Sequence, residues 1–391
     1  MKHRIHNLTS CYSIADLRSL AQRRLPKGVF EFFDGAAEQE NTLRANAAAF
    51  AQVRWRPHTL RDVSEVSLES SLFGSPLGLP MGIGPTGGLG FGHPGADLAL
   101  AKAAAAHRIP YTLSSSATTR IEDIARHAGG RLWFQAYILK DQVHFWHMIE
   151  TARAFDYEAL VITVDLPVGG KRERDFHNHF AIPFRLTARN MLDMVQHPQW
   201  LIRHWQNGLP TLVNLEGSST ANPINLQAFK KLGSTIGRSY DAAFDFDRLA
   251  KIRERWKGKL IVKGILRADD ATQIASLGVD AIVVSNHGGR QLDGAIASLH
   301  ALPAIVQAVG QTVPVWLDGG VRRGVDVAAA LAFGASGVLL GRASLYGSVS
   351  AGEPGALRAL DILSDELKRT LQLCGAKNLR ELTPDLIASN T

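Results

Sequence analysis

KLIVKGILRADDATQIASLGVDAIVVSN, residues 259–286, carries the fold in miniature. An apolar run (259–265) is followed by a stretch with helical spacing (269–278) and then by a second apolar run (281–286). Neither run alternates apolar with polar residues. A strand that is apolar on both faces is buried on both faces, as parallel strands are beneath crossover helices. The pattern recurs from Leu79 onward, with runs at 79–85, 110–116, 132–137, 159–165, 259–265, 281–286, 314–320 and 337–342. Helical stretches such as 96–107 and 324–334 lie between them. Eight βα units close most naturally into a (β/α)8 TIM barrel, an α/β fold, with a doubly wound open sheet as the alternative.

The barrel is expected to span 79–391, after an N-terminal helical cap or flank over 1–78 that contains SIADLRSLAQRRL and TLRANAAAFAQ. One spacing breaks the rhythm. The fourth run ends near Asp165 and the fifth starts near Leu260, too far for one βα loop, so 176–240 reads as an insert after strand four. Within it, 190–210 reads NMLDMVQHPQWLIRHWQNGLP. Met191, Met194, Val195, Trp200, Leu201, Ile202 and Trp205 are expected to share an apolar face, with Arg203 and His204 beside them. That composition fits a segment lying in a membrane interface and equally a lid over the barrel mouth.

A hydrophobic content of 46% with 20% charged residues is that of a soluble globular chain. The net charge of +7 suits anionic partners: a phosphate-bearing cofactor, a carboxylate substrate or an anionic membrane. No Lys/Arg run is interleaved with aromatics, so nucleic acid is not expected. Cys11 and Cys374 stand near opposite ends without a CxxC or a Cys/His cluster. That argues against a disulfide scaffold or a metal site and fits a reducing compartment. Neither a secretory leader nor an apolar run long enough to span a membrane is evident.

A (β/α)8 barrel carries its site at the C-terminal ends of its strands. Here those ends are Pro85-Thr86-Gly87, Ser114, Gln135 and Tyr137, Thr163 and Asp165, Lys263, Ser285 and His287, Asp318-Gly319-Gly320, and Gly341-Arg342. Strands kept only for stability have no need of so many polar ends. The last two loops, DGGVRRG (318–324) and LLGRA (339–343), combine Gly with Arg322 and Arg342, as a phosphate cradle does. Lys263 is either a Schiff-base former or a cation beside an anionic cofactor, because a lone buried ammonium is costly. Asp165 can orient His287 as a base. Arg290 and Arg172, in GGKRERD (169–175), can clamp a carboxylate. The set points to proton or hydride removal next to a carboxylate, helped by a phosphate-bearing cofactor.

These residues resemble the family of FMN-dependent L-2-hydroxy acid dehydrogenases and oxidases, which includes membrane-associated L-lactate and (S)-mandelate dehydrogenases. The likeness runs through LPKGVFEFFDGAAE (25–38), RPHTLRDVS (56–64), GPTGG (84–88), WFQAYILKD (133–141), TVDLPVGGKRERD (163–175), VKGI (262–265) and SNHGGRQLD (285–293). The resemblance implies that His287 is the base and Asp165 its paired acid. Tyr137, Arg172 and Arg290 would bind substrate. Lys263 would stabilise the reduced FMN ring. It also implies flavin-ring contacts from Pro85, Thr86, Gly87, Ser114, Gln135, Thr163 and Ser285. Asp318 would hold the ribityl chain, and Gly319, Gly320, Arg322, Gly341 and Arg342 the phosphate site. It further implies a quinone acceptor, a homotetramer, and a cytoplasmic protein peripheral to the inner membrane through 190–210. The alternative is an oxidase that makes hydrogen peroxide. Gly87 stands where oxidases usually carry Ala, which favours the dehydrogenase. Rivals of another class are a flavin-free isomerase or lyase acting on a phosphorylated substrate, and an inactive scaffold; the intact His287, Asp165 and Arg290 set weighs against the second.

The chain departs from the family pattern at one place. The family motif YxYYxxGA reads FEFFDGAA here, so the tyrosine that helps hold the substrate carboxylate is Phe32. A lost hydrogen bond to a charged group costs roughly 1.5–3 kcal/mol.

Overall fold

The computed structural model describes residues 7–180, 188–216 and 239–388. An antiparallel hairpin comes first, β1 (Ser70–Leu72) and β2 (Ser75–Leu77). Eight strands then form a closed parallel barrel: β3 (Met81–Ile83), β4 (Tyr111–Ser114), β5 (Leu132–Tyr137), β6 (Ala159–Thr163), β7 (Lys259–Ile265), β8 (Ala281–Val284), β9 (Val315–Leu317) and β10 (Gly337–Leu340). Closure is by β10 pairing with β3. The barrel reading therefore holds, and the open sheet is excluded.

Each continuous apolar run splits by parity. On β6, Val161 joins the cluster inside the barrel while Leu160 and Ile162 pack outward under the helices. Trp133, Val161, Ile261, Val283, Trp316 and Leu339 form one interior layer. Two residues further along the same strands stand Gln135, Thr163, Lys263, Ser285, Asp318 and Gly341. A period of two keeps them on the interior face, one layer nearer the mouth. The site is thus the polar continuation of the barrel's own core.

The N-terminal region corrects one expectation. It is helical over α1 (Ile14–Arg24), α2 (Lys27–Asp34) and α3 (Asn41–Ala51), but 70–77 is the β1–β2 hairpin. Phe73 and Gly74 both have positive φ (56° and 78°), as a tight two-residue turn requires. Leu72 and Leu77 join the interior cluster with Trp133 and Trp316, and Phe73 packs against it. Strands of three residues offer too few alternations for a periodicity reading to detect.

The barrel helices include α4 (Ala96–Ala106), α5 (Ile121–His127) and α6 (Gln142–Ala154). Of the segment between β6 and β7, α7 (Glu173–His177), α8 (Ala188–Val195) and α9 (Pro198–Asn207) are described, whereas 181–187 and 217–238 of the expected insert lie outside the described residues. The single apolar face expected over 190–210 is two faces. Met194 and Trp200 are buried, with Trp200 4% exposed. Trp200 Nε1 donates to Phe91 O at 2.8 Å, and His204 Nε2 lies 2.9 Å from Gly90 O. Met191, Leu192, Val195, Leu201, Ile202 and Trp205 point outward, Trp205 being 84% exposed. Among the described residues no helix is long and apolar enough to cross a membrane. Helix α10 (Phe246–Arg255) precedes β7, and α11 (Ala268–Ser276), α12 (Ser298–Val309), α13 (Gly324–Ala332) and α14 (Arg342–Cys374) follow it. The last of these breaks at Gly352.

Candidate active site

The turn after β8 puts His287 at the barrel mouth with a left-handed backbone (φ 58°), followed by Gly288 and Gly289, also at positive φ. A non-glycine residue held there stores strain, which the surroundings must enforce. They do so through α3 and the segment that leads into it. Ala37 N donates to Gly289 O at 2.9 Å, and Asn46 and Asn286 exchange two amide hydrogen bonds of 2.8 Å. Asp293 Oδ1 accepts from Thr42 N at 2.8 Å.

Asp165 Oδ1 lies 2.9 Å from His287 Nδ1, and Tyr137 Oη lies 3.4 Å from Nε2. A carboxylate at Nδ1 fixes that proton and leaves the Nε2 lone pair toward the cavity. Burial raises the Asp165 carboxyl, but His287 and Lys263 outweigh it and hold it below its ordinary range. Gly264 makes room for this acid: a Cβ there would meet Asp165 Cβ at 2.7 Å. Burial pushes the Tyr137 hydroxyl up, so it stays a donor.

Arg172 and Arg290 stand on the same cavity wall. Their guanidinium carbons lie 5.5 and 5.6 Å from the centroid of Phe32, which stacks on Phe180 at 4.7 Å. Phe32 is therefore an aromatic platform beneath both cations, within cation–π range. Arg290 Nη1 donates to Gly35 O at 2.7 Å. Burial, then the neighbouring Arg172 and Arg342, push the Arg290 guanidinium down to about 9. A cation so placed awaits an anion.

Below these, Lys263 Nζ donates to Ser285 Oγ at 2.9 Å and pairs with Asp318 Oδ2 at 3.0 Å. Burial pulls the ammonium down, but Asp318 and Asp165 more than offset it, and it sits above its ordinary value. Lys263→Met should cost about 3–5 kcal/mol of folding stability, because it leaves Asp318 without its buried partner; chemical denaturation of the apoprotein measures this. Ser114 Oγ donates to Gln135 Oε1 at 3.0 Å. Gln135 Nε2 and Thr163 Oγ1 are buried with no hydrogen-bond partner among the described residues. Buried polar atoms without partners are uncommon and mark a place for a ligand.

At the far end, Gly319 and Gly320 (φ 95° and 96°) lead toward α13, and Gly341 caps α14. Arg322 lines the cavity there. Arg342 does so too, but its guanidinium is bonded to the carbonyls of Phe33 (3.1 Å), Gly288 (2.9 Å) and Gly35 (2.6 Å). These bonds tie the α2 region to the His287–Gly289 turn and hold the Arg342 guanidinium in place at that end of the cavity, near Gly319, Gly320, Gly341 and Arg322.

One cavity of about 500 Å³ joins these parts. Pro85, Thr86, Gly87, Tyr137, Arg172, Lys263, His287, Arg290, Asp318, Gly319, Gly320, Arg322, Gly341 and Arg342 line it. Ser114, Gln135, Thr163, Asp165 and Ser285 do not; of these, Asp165 bonds His287 and Ser285 bonds Lys263 from behind the lining. Sequence reasoning missed Asp175, which pairs with Arg172, and Tyr240, whose ring lies 5.2 Å from Tyr137.

The FMN-dependent dehydrogenase family matches residues 21–389. The chain belongs to that family. It is an oxidoreductase whose cofactor is FMN. Among relatives, the (S)-mandelate dehydrogenase of Pseudomonas putida is 41% identical over 96% of this chain and 93% of its own. The L-lactate dehydrogenase of Pectobacterium atrosepticum is 40% identical over 96% of each. The crystal structure of the monotopic membrane protein (S)-mandelate dehydrogenase superposes with a TM-score of 0.91 at 40% identity, covering 97% of this chain and all (100%) of that one. A mandelate oxidase structure gives 0.80 at 33%, over 95% and 97%. The cavity fits FMN: it offers the Lys263 ammonium for a polar ring edge, Asp318 for hydroxyls, and a glycine-lined end with Arg322 for phosphate.

Proposed function

We propose that the protein oxidises an L-2-hydroxy acid of the lactate or mandelate kind to the 2-oxo acid and passes the electrons to a membrane quinone. The observation that carries the reading is the Asp165–His287 pair facing Arg172 and Arg290 across one cavity that ends in a glycine-lined anion site. The two arginines bind the carboxylate. Tyr137 donates a hydrogen bond to the substrate. His287 Nε2 takes the proton released in the oxidation, and Asp165 stabilises the imidazolium. Bound FMN supplies the two-electron acceptor. Lys263, fixed by Asp318 and Ser285, supplies a positive charge on the flavin side.

The outward apolar face of α8 and α9 supports a membrane-side acceptor, and it extends to this chain the monotopic character stated for the mandelate dehydrogenase structure. The proposal includes a homotetramer seated peripherally on the cytoplasmic face of the inner membrane. The dehydrogenase reading is preferred over the oxidase because Gly87 stands where oxidases usually carry Ala; the backbone is close-packed there, a Cβ meeting Ser116 Cβ at 2.9 Å and its carbonyl oxygen at 3.1 Å. Anaerobic reduction by substrate, followed by reoxidation with oxygen or a soluble quinone, tests the acceptor. Fast quinone and slow oxygen reactions are expected; a fast oxygen reaction overturns the dehydrogenase.

Phe32→Tyr restores a donor on the platform between the two arginines. It is expected to lower KM about tenfold for the preferred acid, the worth of one hydrogen bond to a charge, with kcat little changed. Steady-state kinetics with a quinone analogue check this.

A further inference from the structure

Asp175 belongs to GGKRERD, yet the reaction above gives it no task. Its Oδ2 lies 2.8 Å from Arg172 Nε, and both residues line the cavity. The Asp175 side chain is 13% exposed and the Arg172 side chain 23%. The Arg172 side chain has no other polar partner among the described residues, so its terminal nitrogens are left for a ligand. Burial pushes the Asp175 carboxyl up, and the Arg172 and Arg290 charges offset that only in part.

The charges around the cavity sort into closed pairs and one open group. Lys263 is closed by Asp318 and His287 by Asp165. Arg342 has all three guanidinium nitrogens on backbone carbonyls, whereas Arg290 commits only Nη1 to them, and Arg322 stands at the far end of the cavity. Glu31 and Glu40 lie outside the wall, engaged by Asn178 and Arg174. The open group is Arg172, Arg290 and Asp175. Two guanidiniums and one carboxylate leave a single net positive charge. A monocarboxylate neutralises it. A second carboxylate on the substrate would meet the Asp175 carboxylate in a partly buried site, where like charges repel strongly.

We infer that Asp175 determines substrate charge: it sets the arginine clamp to accept 2-hydroxy monocarboxylates and to reject 2-hydroxy dicarboxylates. This is a repulsive device of the kind that specificity commonly needs in addition to attraction. By engaging Nε, Asp175 also positions Arg172 without touching substrate. The inference rests on the 2-hydroxy acid reading above.

The test is FMN-loaded Asp175→Asn. Anaerobic flavin reduction is followed with L-lactate and (S)-mandelate as monocarboxylates and L-malate as the dicarboxylate. The asparagine keeps a hydrogen-bonding group near Arg172 but removes the charge. The ratio of kcat/KM for L-malate to that for the better monocarboxylate should rise at least about tenfold, and Asp175→Glu should restore the parent ratio. Should the asparagine variant not accumulate with FMN, Asp175→Ser removes the same charge with a smaller side chain and is read in the same way. A purely structural role lowers all substrates together, and an unchanged ratio overturns the inference while the 2-hydroxy acid reading stands. A parent enzyme whose flavin is reduced by none of the three acids overturns that reading itself, and this inference with it.

Discussion

His287→Gln is expected to bind FMN normally and to reduce it about 1,000-fold more slowly than the parent enzyme. Glutamine can hydrogen-bond where the imidazole did, but it cannot take a proton. The cofactor contacts lie elsewhere. Lys263, Asp318 and the glycines at 319, 320 and 341 do not depend on the imidazole. Flavin absorbance after gel filtration reports loading, and anaerobic stopped-flow bleaching reports the rate. A variant that reduces its flavin at the parent rate would remove His287 from the chemistry. Near-total loss of FMN would mean that the ring holds the cavity open rather than acting as a base.

Replacing Leu192, Val195, Ile202 and Trp205 together by glutamine is expected to release the protein from anionic-lipid vesicles, lowering its partition coefficient at least about 100-fold. Full burial of such side chains contributes roughly 1.5–3 kcal/mol each, so even partial burial of four exceeds the ~2.8 kcal/mol that this factor requires. Flavin reduction by substrate should be unchanged, because these four side chains point outward. Trp200 and Met194 stay in place in this variant, since they pack on the barrel. Vesicle sedimentation reads the outcome, and unaltered pelleting would refute the membrane role of this face.

Much of the site was legible because its residues obey the strand period. Gln135, Thr163, Lys263, Ser285 and Asp318 each follow an interior apolar residue by two positions, and a polar residue at the end of a buried strand shows in the sequence. What escaped notice lies where the period gives no purchase. In KRERD, Asp175 reads as one more charge on a solvated helix; only α7's placement against the mouth turns it inward. Tyr240 is far along the chain from Tyr137, and nothing local announces their contact. On α9, Trp200 and Trp205 both look like one apolar stripe, yet the five-residue step between them leaves their side chains about 140° apart around the helix, which separates a buried indole from an exposed one. The lost hydroxyl at Phe32 was visible in the sequence, but not the two guanidiniums that lie over its ring.

The paired amides of Asn46 and Asn286 close a loop of 240 residues. The cap emerges early during synthesis, yet the partner that fixes it arrives only with the eighth strand segment of the chain. Contacts of such long range form late in folding, after their loop entropy has been met by other structure. His287 therefore reaches its strained backbone as one of the last events on the way to the native state. A species with a closed barrel and an undocked cap would be compact and largely helical and sheet-bearing, yet inert. Recovery of activity should accordingly lag recovery of circular dichroism when the unfolded chain is returned to native conditions.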